Sequence, residues 1–172
     1  MGIRYYAYAF DADLTAQAVR APHSILPRDP LADAWGMEPG ATVGVATFEQ
    51  TVSARDMLYL DKAWTYLRKL TGPAAGAAAA RPAHRLFEGR VETVGLGWRP
   101  WVRTLTPEEI PAIARNLASI SDEEAHEGFR AMALGRTDSD GVVAHACEYL
   151  RRAREFIERL AADGRGMVYL IG

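Results

Sequence analysis

Cysteine and lysine are scarce in this 172-residue chain, which has one cysteine, Cys147, and two lysines, Lys62 and Lys69. A single cysteine excludes an internal disulfide and a cysteine-rich zinc site. No apolar run approaches the roughly 18 residues that a membrane-spanning helix needs, and the opening residues lack the pattern of a secretory signal. We therefore expect a cytoplasmic protein that does not associate with membranes.

The short motifs of common enzyme sites are also missing. The glycines between 89 and 97 do not form a dinucleotide fingerprint, and neither a P-loop nor a nucleophile elbow occurs. His126 precedes Arg130, where a zinc-protease motif needs a second histidine. Cys147 and His145 are two residues apart on a predicted helix and point in different directions. We predict no catalytic residue, metal site or cofactor, although a site assembled only in the folded chain stays open.

Composition and charge describe an ordinary globular domain. Hydrophobic residues make up 49% and charged residues 24% of the chain, and the net charge is −2. This composition argues against disorder, and the charge argues against binding of nucleic acid through overall electrostatics. The length predicts a single domain over residues 1–172. Within it, the low-complexity segment PAAGAAAARPA at 73–83 is predicted to be a mobile surface loop.

The clearest periodic signal is near the C-terminus. Apolar residues recur every three or four positions from Val143 to Leu160, which predicts a long helix. Met167–Ile171 is nearly all apolar and predicts a terminal strand in the middle of a sheet. Two further helices are predicted after capping boxes that begin at Thr106 and Ser121.

The remaining elements carry weaker signals. Residues 3–10 and 102–105 predict strands, and residues 42–49 predict a short one. One turn of helix is expected around residues 31–35, and a longer helix from Ser53 to Gly72. Four or five helices with three or four strands, not strictly alternating, predict an α+β fold. We expect one compact domain with its helices packed on a small mixed or antiparallel sheet.

Three segments resemble the YfbM-like family of small bacterial proteins, a family of unknown function. They are the opening MGIRYYAYAF, the segment YLDKAWTYLRKLTG at 59–72 and the C-terminal helix that leads into MVYLIG. The Leu-Asp-Lys-x-Trp core at 60–64 is the most recognisable piece, whereas the alanine-rich loop after Pro73 departs from the family. The resemblance implies a compact α+β domain and implies no activity.

The most suggestive local patch lies between Arg81 and Arg103, where arginine alternates with aromatic residues. If residues 98–103 are extended, Arg99, Trp101 and Arg103 share one face. Arginine interleaved with tryptophan can bind an anion, a single-stranded nucleic acid or a protein hot spot, so these three are candidate binding residues. The simpler alternative is that the arginines cover the edges of aromatic core residues.

A fourth candidate binding residue is Asp61, which could anchor a loop or the arginine of a partner. The simpler alternative is a structural hydrogen bond or a solvated charge. A buried Asp61 would need a partner, because an unpaired buried carboxylate is strongly unfavourable.

These observations support two hypotheses. The first is a non-enzymatic protein-interaction module, such as an adaptor or an immunity protein. The alternative is a small-molecule binder or an enzyme whose polar groups converge only in three dimensions; a cavity that holds Asp61, His126 or Cys147 together would favour it. Nucleic-acid binding is the least favoured, and a homodimer is possible because short strands leave edges to cover.

Overall fold

The computed structural model describes residues 2–36, 50–73 and 79–172. The strands and the α-helices within these ranges are numbered in chain order. The strands are β1 (Tyr5–Phe10), β2 (Met57–Asp61), β3 (Glu92–Val94), β4 (Gly97–Arg99), β5 (Trp101–Leu105) and β6 (Gly166–Ile171). The helices are α1 (Thr15–Arg20), α2 (Pro30–Gly36), α3 (Trp64–Thr71), α4 (Ile110–Ala118), α5 (Asp122–Ala133) and α6 (Ser139–Asp163).

Four strands form an antiparallel sheet in the order β2-β1-β6-β5. The terminal strand β6 therefore lies inside the sheet, as its apolar sequence predicted. Gly166 begins β6 at a crowded point, because a Cβ added there would lie 2.3 Å from the ring of Phe10. The α+β fold expected from the sequence is confirmed.

Both faces of this sheet are buried. Tyr5 and Ala7 of β1 point toward the main core, to which helices α3 to α6 contribute. Tyr6 and Tyr8 point to the other face, where the short α2 covers them, and Phe10 packs there against α1. The alternation predicted for residues 3–10 is thus present, and each face of the strand has its own helical cover.

Helix α5 begins directly after its predicted cap, Ser121, whereas α4 begins at Ile110, four residues after the predicted cap Thr106. Ser121 Oγ accepts a hydrogen bond from the Glu124 N–H at 3.0 Å, and Glu109 Oε2 accepts one from the Thr106 N–H at 2.8 Å. Helix α6 ends at Gly164, which adopts the left-handed conformation with a φ of 64°. Among the described residues, no helix is both long and apolar enough to cross a membrane.

The prediction of one helix from Ser53 to Gly72 is wrong in its first half. Residues 57–61 form strand β2, and only Trp64–Thr71 are α-helical. Met57 to Leu60 are all apolar and all buried, so their sequence fits a buried strand as well as a helix. Antiparallel pairing with β1 decides between the two.

Two other predictions concern segments that the structure describes only in part. The strand predicted at 42–49 lies outside the described residues, as do residues 74–78 of the predicted loop. The end of that loop enters the core: Ala83 is fully buried, and its N–H donates to Asn116 Oδ1 at 3.0 Å.

Candidate functional site

Strands β3 and β4 form a two-stranded hairpin separate from the main sheet. Its two-residue loop is Gly95-Leu96, with Val94 paired to Gly97. Gly95 has a φ of 59°, and a glycine with positive φ at the first loop position is typical of the tight hairpin turns that match strand twist. The local sequence therefore favours the tight turn of this hairpin.

Every residue from 92 to 100 is exposed. The hairpin displays Leu96 at its tip, with Val94 and Trp98 on its two strands; Val94 is 53% and Trp98 42% exposed. These are three of the six large hydrophobic side chains exposed in the described part of the chain. Val94 pairs with Gly97 and Trp98 pairs with Thr93, so the side chains of Val94 and Trp98 project from opposite faces of the hairpin. Apolar exposure is therefore a property of the whole hairpin and makes it the candidate binding element.

The structure divides the predicted arginine–tryptophan patch between two surfaces. Arg99 lies on the hairpin and faces Glu92 at 3.5 Å, a pair so exposed that it contributes little stability. Trp101 and Arg103 lie on β5, opposite Ile171 and Tyr169 of β6. Their side chains therefore point to the face of the sheet that packs on the main core with helices α3 to α6.

On that side, both residues have partners within the protein. Arg103 forms an ion pair with Glu88, and Trp101 is half-buried against the core. A Cβ added at Gly89 would lie 2.6 Å from Trp101 Cδ1, so this chain segment covers the indole closely. The exposed tryptophan of the region is Trp98.

Asp61 ends β2 and turns the chain into α3. It is the one non-glycine residue with positive φ, at 44°, in the described ranges, a conformation that aspartate tolerates better than most residues. Its carboxylate accepts hydrogen bonds from Arg4 Nε and the Tyr59 hydroxyl, each at 2.9 Å. Burial is the main cause that raises the pKa of Tyr59, and the hydrogen bond to the Asp61 carboxylate raises it further. The phenol therefore stays protonated and donates this bond.

Asp61 borders an open groove of about 700 Å³ between the start of α3 and the start of α6. Lys62 and Trp64 line the same groove, so the three polar or aromatic residues of the Leu-Asp-Lys-x-Trp segment meet at one surface. Arg136 and His145 approach it from the other side. The strand-to-helix corner at Asp61 positions Lys62 and Trp64, whereas Arg136 and His145 are brought to the groove by the segment that leads into α6 and by the start of α6.

His126 and Cys147 lie elsewhere, in a cavity of about 440 Å³ between α5 and α6. Burial and the nearby Asp122 carboxylate raise the pKa of the Cys147 thiol, so the thiolate needed for nucleophilic attack is disfavoured. The structure thus brings His126 and Cys147 together, separates them from Asp61 and gives the thiol no activation. No group of three metal-ligating side chains converges in the described residues.

No protein-family model matches the chain, and no curated protein matches it. The crystal structure of YfbM from Escherichia coli, a protein of unknown function, aligns with 99% of this chain and 100% of its own, with a TM-score of 0.57. The chain has the YfbM fold. At 18% sequence identity the likeness concerns the fold alone, and it confirms the fold that the sequence resemblance implied.

Within this YfbM fold, sequence reasoning missed two groups of residues. Leu96 was not considered and Trp98 was not chosen as a binding residue, because the exposure of both depends on the hairpin leaving the main sheet. Arg136 was missed because it is 74 residues from Lys62 in sequence, and only the fold brings both to one groove. The Gly-Leu-Gly sequence at 95–97 is the one local signal that could have indicated the hairpin.

Proposed function

We propose that this protein is a non-catalytic protein-interaction module whose binding element is the β3–β4 hairpin. The concentration of three exposed apolar side chains, Val94, Leu96 and Trp98, on this short hairpin carries the proposal. Leaving these side chains in water is unfavourable, and tryptophan is enriched at the centres of protein interfaces. Adaptor and immunity roles in the cytoplasm of a bacterium are the concrete forms of this proposal.

The charges around the hairpin define the partner. Arg90 is exposed and has no ion pair within the described ranges, and Arg99 has only its exposed contact with Glu92. We therefore expect a protein whose apolar cleft accepts Leu96 and Trp98 and whose rim carries carboxylates.

The test begins with capture of partners from a lysate of the native host on the tagged chain, followed by purification of the captured protein. The hairpin variant is Leu96→Ser with Trp98→Ser. The matched control is Val19→Ser with Leu134→Ser, which removes two exposed apolar side chains outside the hairpin. Trp101→Ala is unsuitable, because truncating a half-buried indole disturbs the core.

We expect the wild type and the control to bind the purified partner equally in calorimetry. The hairpin variant should bind about 100-fold more weakly or worse, as hot-spot residues do. Equal binding by the hairpin variant would refute the assignment of the hairpin. Binding that the control loses to the same extent would also refute it.

The alternative binding partner of the hairpin is a second copy of the same chain. Sedimentation analysis of the purified protein tests it directly. A dimer that Leu96→Ser with Trp98→Ser dissociates would replace the heterologous partner with self-association, whereas a monomer favours the partner proposed above.

A further inference from the structure

Trp64 separates two grooves on the surface around α3. The groove described above, of about 700 Å³, is lined by Lys62, Arg136 and His145. A second groove, of about 490 Å³, is lined by Arg68, Lys69 and His84. Trp64 and Thr65 line both grooves, so the two form one continuous surface that includes both lysines of the chain.

The positive charge on this surface is not compensated. Ten arginines elsewhere in the described ranges form ion pairs with carboxylates. Lys62, Arg68, Lys69 and Arg136 form none with described residues. Four like charges left unpaired on one surface repel each other and favour a bound anion.

The two carboxylates that line these grooves already have partners in the protein. Asp61 accepts from Arg4 and Tyr59. Asp138 Oδ1 accepts from the Gly141 N–H at 3.0 Å and so caps α6. Asp61 is thus neutralised by Arg4, and the one remaining carboxylate, Asp138, cannot balance four cations, so the grooves keep a net positive charge.

Trp64, which lines both grooves, has an indole N–H without a hydrogen-bond acceptor among the described residues. The residue is 7% exposed, and a buried N–H without a partner is unusual. The indole nitrogen itself is closed to solvent, so Trp64 contributes its ring, and not this N–H, to the lining of the two grooves.

We propose that the paired grooves bind a small ligand that carries several phosphate groups. Lysine and arginine are the side chains that bind phosphate, through charge-assisted hydrogen bonds. The groove volumes are those of small-molecule sites. The net charge of −2 disfavours a nucleic acid, which needs a long positive surface. This site is independent of the hairpin and of its partner.

Calorimetric titration with sodium tripolyphosphate and with inorganic phosphate tests the proposal. The groove variants are Lys62→Gln with Arg136→Gln, and Arg68→Gln with Lys69→Gln. The matched control is Arg20→Gln with Arg115→Gln, which removes the same charge from two exposed arginines that have no ion pair among the described residues.

We expect tripolyphosphate to bind more tightly than phosphate, since its higher negative charge is attracted more strongly by the four cations. Each groove variant should weaken binding about tenfold or more, because a charge-assisted hydrogen bond contributes about 1.4 kcal/mol or more. The control should change binding less than about twofold.

Lysine labelling gives a second measurement that needs no variant. Lys62 and Lys69 are the only lysines, so an amine-reactive reagent followed by mass spectrometry reports on the two grooves separately. We expect tripolyphosphate to protect both lysines, and sodium chloride at the same ionic strength to protect neither.

Three results would overturn the proposal. They are the absence of tripolyphosphate binding, an equal loss of binding in the control pair, and labelling that tripolyphosphate leaves unchanged. Tighter binding of a single-stranded oligonucleotide than of tripolyphosphate would also overturn it, and would indicate a nucleic-acid surface instead.

Discussion

At the scale of single residues, the buried polar groups organise the face of the sheet that α2 covers. Asp33 is fully buried in α2. Its carboxylate accepts hydrogen bonds from the Tyr8 hydroxyl at 3.3 Å and from Thr51 Oγ1 at 3.0 Å, and another from the Thr51 N–H. One carboxylate thus ties α2 to β1 and to the segment before β2. A buried charge is tolerated where such partners surround it.

Replacement of Asp33 tests this role. We expect Asp33→Ala to lower the free energy of unfolding by about 2–4 kcal/mol, because the Tyr8 hydroxyl and the Thr51 donors lose their acceptor while they stay buried. Asp33→Asn keeps one acceptor oxygen and should be less harmful. Urea unfolding measures both, with the exposed Asp13→Ala as control. A loss below about 0.5 kcal/mol, the usual range of surface changes, would contradict the role.

His84 is a second residue whose surroundings have a measurable consequence. Its Nδ1 lies 3.3 Å from Thr71 Oγ1, and Thr71 is fully buried. Burial of the imidazole is the main cause that lowers the pKa of His84 below its ordinary value of 6.5, and the positive charge of Arg68 lowers it further. As the pH falls, the unfolded chain therefore takes up this proton before the folded chain does.

This order of protonation predicts the pH dependence of stability. The contribution of His84 to the free energy of unfolding is complete above pH 6.5 and is lost as the pH falls through the lower pKa of the folded state. We expect the wild type to lose more stability than His84→Gln between pH 7.5 and pH 5, measured by urea unfolding. Identical losses would show that His84 titrates normally.

At the scale of elements, the junction of β2 and α3 determines which side chains reach the larger groove. Asp61 holds the left-handed turn and is fixed by Arg4 and Tyr59, so the chain leaves the sheet and begins a helix within three residues. That corner places Lys62 and Trp64 at the same groove.

Substitutions at this corner should follow a defined order of stability. Asp61→Asn tolerates the left-handed conformation and keeps an acceptor, so we expect a loss below about 1 kcal/mol. Asp61→Ala loses both acceptor bonds and is strained at this φ, which predicts a loss of about 1–2 kcal/mol. Asp61→Gly loses the same acceptor bonds as Asp61→Ala but is not strained at this φ, so its loss of stability should fall between those of the asparagine and alanine variants. Thermal or urea unfolding ranks the three, and an alanine variant as stable as asparagine would contradict the account.

At the scale of the whole molecule, the four-stranded sheet and its helices are stabilised separately from the hairpin. The main core includes residues from α3 to α6 and from all four strands of the main sheet, but no residue of 92–99. Two-stranded hairpins are marginally stable in isolation, so this one is held mainly by its turn and by its attachment to Val91, which packs against the core.

Excision of the hairpin tests this separation. Glu92 and Arg99 are cross-strand partners, so the two chain ends left by removing residues 92–99 lie close together. A Gly-Gly linker can span the distance of about 5 Å between these ends. We expect the melting temperature to change by no more than a few degrees, because little apolar area buried in the core is lost. Binding of the hairpin partner should disappear, whereas tripolyphosphate binding should remain. Unfolding of the shortened chain would show that the hairpin is part of the core.

The sequence by itself determined the elements whose signals are local. The long helix with its stripe from Val143 to Leu160, the cap Ser121 of α5 and the apolar strand at the C-terminus could all be predicted, because spacing and capping act within a few residues. Together they were enough for the α+β class.

Only the tertiary structure decided the rest. Met57–Asp61 is a strand because β1 supplies its hydrogen bonds, a partner more than 45 residues away that no local pattern reveals. The charges of Lys62, Lys69, Arg68 and Arg136 meet because the chain turns at Asp61 and α6 begins beside that turn. Exposure depends in the same way on what the rest of the chain covers, which is why Trp98 is in solvent and Trp101 lies against the core.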